Sequence, residues 1–129
     1  MALADAPRLV VTTFPPGAEP VASAEWVVAA GDRRVGFWTP DATAWTARLA
    51  GSAVVTVRAA NRLGKVDREA PLLEGRAEVV TDGAVLERVR EATHAKYGLG
   101  AGVAGLVDRV KELGGQKTPE AAIVIDVVG

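Results

Sequence analysis

Short runs of β-branched and apolar residues, separated by turn residues, make up the first part of the chain. Arg8 to Phe14 has the sequence RLVVTTF and stops at Pro15-Pro16-Gly17, which predicts a strand that enters a hairpin. Pro20 to Ala29 and Arg34 to Thr39 continue the extended pattern on either side of a turn that contains glycine. The pattern therefore predicts two hairpins in succession, with Pro20 to Ala29 as a single strand.

A short helix is predicted after the second hairpin. Asp41 offers the carboxylate of a helix N-cap, just after Pro40. The segment from Ala42 to Ala50 is rich in alanine, and Ala42, Trp45 and Leu49 stand near helical spacing. We therefore expect a helix that packs Trp45 and Leu49 inward.

Two more strands are predicted in the middle of the chain. Ala53 to Ala60 is rich in β-branched residues, and Asn61 to Lys65 supplies a turn that contains glycine. Leu72 to Thr81 continues the sheet, and Gly75 within it predicts either a bulge or a close approach of two backbones.

Helical spacing replaces the strand pattern after Asp82. An apolar stripe lies beside charged residues and consists of Val85, Leu86, Val89 and Ala92. A second helix is predicted at about Ala104 to Leu113, and the apolar run at Ala121 to Val128 predicts a last strand buried on both faces. The pattern is typical of a mainly β (α+β) fold with about six strands, one short helix between strands and two helices before the last strand.

Composition narrows the class of protein. A chain of 129 residues with 49% apolar and 24% charged residues is typical of one globular domain, which we take as 1–129. The net charge of -1 and the pI near 5.8 predict binding neither to nucleic acid nor to an anionic membrane surface. The absence of cysteine excludes disulfides and thiolate metal sites, and the longest apolar stretches are only as long as a strand, so we expect a cytoplasmic protein without a membrane span.

Two candidate sites do not carry a function by themselves. The spacing of Gly100, Gly102 and Gly105 matches the dinucleotide-binding fingerprint, but a predicted helix precedes it where a strand is required. We interpret this run as a helix connection. The single histidine, His94, is near a helix end, where it caps the helix more readily than it catalyses, because no partner nucleophile is evident.

Scattered carboxylates predict neither a metal site nor an acid–base pair, so no catalytic residue is assigned. Glu25 and Glu74 stand within apolar strands, where they face either water or a cavity.

The tryptophans and one basic cluster each allow two interpretations, one structural and one in ligand binding. Trp26, Trp38 and Trp45 are interpreted first as core residues and second as the lining of a planar-ligand site. The basic cluster at the Asn61 turn is either a solvated hairpin tip or an anion grip, and consists of Arg58, Arg62 and Lys65.

The order of these segments resembles the pyridoxamine-phosphate-oxidase-like split β-barrel superfamily, particularly the actinobacterial flavin/deazaflavin oxidoreductases that use coenzyme F420. The resemblance spans almost the whole chain. It rests on the order of these motifs: Thr12-Thr13-Phe14, Val21 with Trp26-Val27-Val28, Trp38-Thr39-Pro40, Arg48-Leu49, Val55-Thr56-Val57, Glu74-Gly75 and Lys96-Tyr97-Gly98.

The resemblance implies an FMN-binding type of split barrel that forms a homodimer, with the cofactor in a groove between subunits. It implies hydride transfer between coenzyme F420, or alternatively FMN, and a small organic substrate. The cofactor-binding residues that it implies are Thr43 and Arg48 on the phosphate, Trp38, Thr39 and Val57 near the ring, Lys96 and Tyr97 from the helix end, and the polar residues Thr13, Arg58 and Lys65.

The chain departs from these relatives in one segment. Deazaflavin-binding relatives typically have a Ser-Gly-Lys-x-Lys-like run before Arg-Leu, whereas this chain has Thr43-Ala44-Trp45-Thr46-Ala47 before Arg48-Leu49. Two expected cations are absent, which leaves Thr43, Arg48 and backbone amides for an anion. The alternative is therefore a degenerate, non-catalytic split barrel that holds no such cofactor and binds another planar or apolar ligand or a protein partner.

Overall fold

The computed structural model describes residues 3–31, 33–66, 68–97 and 120–128. The strands are β1 (Arg8–Thr13), β2 (Val21–Glu25), β3 (Val28–Gly31), β4 (Arg34–Thr39), β5 (Val54–Ala60), β6 (Leu73–Val80) and β7 (Ala121–Val128). The helices are α1 (Ala42–Arg48) and α2 (Gly83–Tyr97), preceded by a 3-10 turn at Leu3–Asp5. The strands form one seven-stranded sheet in the order β2-β1-β5-β6-β7-β4-β3, with antiparallel neighbours throughout.

The sheet is curled because its two edge strands follow each other in the chain. β2 and β3 lie at opposite edges, yet only Trp26 and Val27 separate Glu25 from Val28. A link this short spans at most about 10 Å, so the two edges must come together. The result is a split β-barrel, which confirms the expected mainly β (α+β) class.

The prediction of one strand from Pro20 to Ala29 is wrong. This segment forms two strands with different neighbours, since Glu25 pairs with Leu9 and Val28 pairs with Gly36. The described part of the chain therefore contributes seven strands to the barrel in place of about six. An extended pattern indicates a strand, but it does not indicate where the chain changes partners.

The remaining predicted elements in the described ranges agree with the structure to within one or two residues. Asp41 caps α1 as expected, because its Oδ1 accepts a hydrogen bond from the Ala44 amide at 3.0 Å. The helix predicted at Ala104 to Leu113 and the glycine run before it lie outside the described residues. No helix in the described part of the chain is long and apolar enough to cross a bilayer.

Two apolar clusters lie on either side of the sheet. The interior of the barrel holds fully buried residues that include Leu9, Val11, Phe37, Val57, Ile123 and Ile125. The second cluster lies between the sheet and α2 and consists of Val28, Leu86, Val89, Ala122 and Val124. β7 contributes to both clusters, so the predicted burial on two faces is confirmed as far as Ile125, beyond which Asp126 is exposed.

Gly75 marks a close approach of β6 to β7. A Cβ atom at this position would lie 2.6 Å from Ile125 Cγ2 and 2.9 Å from the carbonyl oxygen of Asp126. The close backbone approach predicted for Gly75 is therefore correct, and its pairing with Val55 and Val127 shows no register shift.

Candidate functional site

Arg48, the last residue of α1, ties β1 to β2. Its Nε donates to Thr13 Oγ1 at 3.0 Å and its Nη1 donates to Ser23 Oγ at 2.9 Å. Its Nη2 donates to the carbonyl oxygens of Val21 at 3.0 Å and Val11 at 3.4 Å. Each of the three guanidinium nitrogens is thus bonded to the protein, and we call this set of five residues the Arg48 latch.

Trp45 directs Arg48 toward the strands. The indole is buried in the barrel and meets Phe37 edge-on, with 4.9 Å between ring centroids. Three residues later on the same side of α1, the Arg48 guanidinium lies 3.8 Å from the centroid of the Trp45 ring. Cation–π contact adds to the hydrogen bonds of the latch, so α1 presents its arginine to the barrel.

Glu25, at the end of β2, balances the charge of the latch. Burial raises the pKa of its carboxyl, while a hydrogen bond from Ser23 and the charges of Arg48 and Arg8 act in the opposite direction. Burial likewise lowers the pKa of Arg48, and Glu25 opposes that shift. The arginine charge is thus compensated within the protein.

Lys96, in the last turn of α2, is committed to backbone carbonyls. Its Nζ donates to Ala4 at 2.5 Å, Ala6 at 2.7 Å and Val27 at 2.8 Å. An ammonium carries three N–H donors, so all of them are used. The burial that accompanies these bonds lowers the pKa of Lys96, and the charge of Asp5 opposes this shift.

Tyr97 holds the same junction. Its hydroxyl lies 2.8 Å from the carbonyl oxygen of Pro7 and 2.5 Å from that of Val27, so its single proton serves these two acceptors. The ring meets Trp26 edge-on at 4.9 Å. Burial raises the pKa of Tyr97 to about 12. Lys96 and Tyr97 together anchor the N-terminal segment and the link between β2 and β3.

The three residues expected near a cofactor ring lie in different surroundings. Val57 is fully buried in the barrel core. Trp38 packs in the cluster under α2 and donates from Nε1 to Glu120 Oε1 at 3.0 Å. Thr39 is buried, and its Oγ1 accepts a hydrogen bond from the Asp41 amide at 3.2 Å.

The remaining predicted residues are also dispersed. Thr43 is exposed on α1, and Lys65 is exposed in the loop after β5. Arg58 donates to the carbonyl oxygen of Ala70 from Nε at 3.2 Å and from Nη2 at 3.0 Å. Thr43 comes before β5 in the chain and Lys65 comes after it, whereas Arg58 lies within the strand.

A phosphate at the start of α1 does not fit the residues present. Thr43 and Arg48 point about 140° apart around the helix axis, and Arg48 is bonded within the latch. The Asp41 carboxylate already caps the Ala44 amide, so an approaching anion meets a negative charge. Among the described residues, no group of three or more histidines and carboxylates could hold a metal ion.

Sequence reasoning missed a partly exposed surface on β2, β1 and β5. None of the described helices packs heavily against these strands, since α2 lies over β3, β4, β6 and β7. The outer face of the three strands, called the outer face below, is partly exposed and includes Val10, Thr12, Ala22, Ala24, Thr56 and Arg58, which stands opposite Val10. The alternation of β1 indicates it in retrospect, because Leu9, Val11 and Thr13 point inward.

Comparison with known proteins supports the same architecture. No protein-family model matches the chain, and no curated protein matches it either. Among solved structures, a putative pyridoxamine 5'-phosphate oxidase from Listeria innocua is 16% identical with a TM-score of 0.62, over 98% of this chain and 88% of that one.

Two other solved structures are similar over the same share of this chain. A protein named F420 reductase is 18% identical with a TM-score of 0.52, over 98% of this chain and 91% of its own. HutZ, described as the heme storage protein from Vibrio cholerae, is 9% identical with a TM-score of 0.61, over 98% of this chain and 85% of its own. The curled antiparallel sheet and these neighbours agree, and the chain has a split β-barrel fold similar to that of these solved structures.

Proposed function

We propose that this protein is an oxidoreductase that binds the ring of a flavin or deazaflavin, FMN or coenzyme F420, and transfers hydride to or from a small organic molecule. The observation that carries the proposal is the extent of the shared barrel, since a putative pyridoxamine 5'-phosphate oxidase and an F420 reductase each align over 98% of this chain. In such reactions the cofactor performs the redox step, while the protein orients the reactants and excludes water. No acid–base pair of its own is then required.

The outer face is the surface that we assign to the ring and to a second subunit. Ala22 and Ala24 have short side chains, and Thr12 and Thr56 stand opposite each other with hydroxyl groups. A partly apolar surface with a few hydrogen-bonding groups suits a planar aromatic ligand. We place the ring between this face and the same face of a second copy, which makes the functional unit a homodimer.

Ligand titration tests the function directly. FMN and coenzyme F420, each in oxidised and reduced form, are added to micromolar protein, and ligand fluorescence and native mass are recorded. We expect saturable binding with one ring per subunit in a dimer, and anaerobic reoxidation of the reduced form by an organic acceptor. The absence of a fluorescence change with all four ligands would contradict the proposal.

A charged substitution on the outer face tests the location. Val10→Glu places a carboxylate in the middle strand of this face, whereas the matched control Leu63→Glu changes a side chain that is 84% exposed in the loop after β5. We expect Val10→Glu to sediment as a monomer and to bind the ring at least about tenfold more weakly. The control should keep both properties. A wild-type monomer at micromolar concentration would refute the shared groove.

A second candidate is a non-catalytic split barrel that binds another planar or apolar ligand or a protein partner. The hydrogen bonds of Arg48 favour this second candidate. All three guanidinium nitrogens donate to protein oxygens, so the described residues of α1 and its surroundings leave no cation to bind a phosphate. The similarity of the fold to a heme storage protein supplies a ligand to test. Saturable binding of haemin, together with the failure of FMN and F420 to bind, would favour this candidate over the first.

A further inference from the structure

We infer that α1 and the loop beside it provide no phosphate site in this protein, so that riboflavin binds as tightly as FMN. This specificity rests on the proposed function, because it concerns the same cofactor. It follows from three observations around α1: the local charge, the bonding of Arg48 and the capping of the helix.

The local charge near α1 is unfavourable for an anion. The loop from Phe14 to Pro20 and the segment from Pro40 to Ala53 contain one cation, Arg48, and two carboxylates, Glu19 and Asp41. The two segments are adjacent, since a Cβ atom on Gly51 would lie 2.9 Å from the ring of Pro16. A phosphate in this region has a single arginine as its cationic partner.

That arginine is not available. Arg48 would have to break hydrogen bonds from all three of its nitrogens and leave the Trp45 ring in order to reach a ligand outside the barrel. Release would also leave the buried hydroxyl of Thr13 without its arginine donor and deprive Glu25 of a compensating charge. To bind the Arg48 guanidinium, a phosphate would therefore have to replace the hydrogen bonds of the Arg48 latch.

The amides of α1 do not replace the arginine. The helix spans seven residues, and the carboxylate of its N-cap residue Asp41 already accepts a hydrogen bond from the Ala44 amide at 3.0 Å. A bound phosphate would have to displace this carboxylate or lie beside its negative charge. Charge, hydrogen bonding and capping thus all disfavour the binding of a phosphate at α1.

A matched pair of ligands tests the inference. Riboflavin and FMN carry the same ring and differ by one phosphate. We expect their dissociation constants to differ by less than about threefold. A preference of about tenfold or more for the phosphorylated form would overturn the inference. Failure of every ring to bind would instead overturn the proposed function.

Inorganic phosphate provides a readout that does not depend on the ring. In an amide NMR titration at constant ionic strength, we expect the amides of Ala42, Thr43 and Ala44 to keep their positions up to millimolar phosphate. A saturable shift of these amides, with no comparable shift under chloride, would show an anion site at α1 and would overturn the inference even if no flavin binds.

A variant that restores a cation gives the complementary result. Ala47 is exposed on α1, so Ala47→Lys adds a positive charge on the solvent side without touching the latch, and Ala47→Gln is the neutral control of similar length. We expect Lys to shift the FMN-to-riboflavin affinity ratio by about tenfold toward FMN, and Gln to leave it unchanged. If the FMN-to-riboflavin affinity ratio is the same in both variants, the phosphate of FMN does not lie near α1, and the inference is overturned.

Discussion

The edge strand β2 and the central strand β7 are held in place by different forces. β7 lies between β6 and β4, and its first five residues are all buried, in the barrel or under α2. β2 has the sequence VASAE, pairs with β1 and contains no fully buried residue. Packing secures the centre of the sheet, whereas Arg48 on one side and Lys96 with Tyr97 on the other secure the edge strand and the link that follows it.

This difference explains why residues predicted to bind a ligand bind the protein. An edge strand of small residues removes little apolar surface from water, so burial contributes little to its position. Hydrogen bonds from long polar side chains supply the missing stabilisation, and carbonyls of the strand and its link are their acceptors. Cations at the ends of two helices are therefore occupied before a ligand arrives.

The largest effect is expected at the centre. Ile123→Ala removes a fully buried side chain from the barrel core, which should lower the free energy of unfolding by about 2–5 kcal/mol through lost burial and a cavity. Urea unfolding measures this loss. Val128→Ala, at an end of β7 that is 58% exposed, is the control and should change stability by less than about 0.5 kcal/mol. Equal losses of unfolding free energy in the two variants would contradict the conclusion that side-chain packing holds β7 in place.

At the edge, Arg48→Ala should lower the free energy of unfolding by about 2–4 kcal/mol, because charged hydrogen bonds to β1 and β2 are lost together. Native-state hydrogen exchange should show the amides of β2 opening well before those of β7. Arg62→Ala, in an exposed turn, removes the same charge and should be nearly neutral. A wild-type exchange pattern in Arg48→Ala would break the comparison between the two strands.

Tyr97 is expected to make a smaller contribution at the link after β2. Tyr97→Phe should cost about 1 kcal/mol, since one hydroxyl bond is lost while the ring contact with Trp26 remains. Tyr97 is the one tyrosine of the chain, so phenolate absorbance after a rapid pH jump reports its pKa alone.

We expect this folded pKa to be about 12, against about 10 in denaturant. Because the folded state binds the proton more tightly, stability should fall as the pH rises between those two values, and this loss should be absent in Tyr97→Phe. A folded pKa close to 10 would show that the hydroxyl is solvated and that the link is held without it.

The smallest expected effect on stability is that of Glu25, and it is limited to one pH range. Its raised pKa means that the folded state retains a proton that the unfolded chain has lost, so its contribution falls as the pH rises from 4.5 through the folded pKa. Glu25→Gln should therefore gain stability relative to wild type across that window, as measured by urea unfolding at several pH values. A parallel pH dependence in the two proteins would mean that the carboxyl is not desolvated beside the latch.

Local pattern was sufficient for most of the fold. The β-branched runs located β1, β5 and β6, and the unbroken apolar run at Ala121 to Ile125 indicated a strand buried on both faces, because each of these properties is local to the segment. The break at Trp26 and Val27 was not predictable in this way. It depends on which strands lie beside the segment, and these strands are brought there by the closure of the barrel.

The sequence by itself determined the mainly β class, the capped helix at Asp41 and the scarcity of cations around that helix, since these depend on residue type and spacing alone. Only the tertiary structure decided what Arg48, Lys96 and Tyr97 do. Their hydrogen-bond partners come from segments far away in the chain, as with Arg48 and Thr13 or Lys96 and Ala4. A donor's availability to a ligand depends on the acceptors that folding places beside it, and residue type does not reveal them.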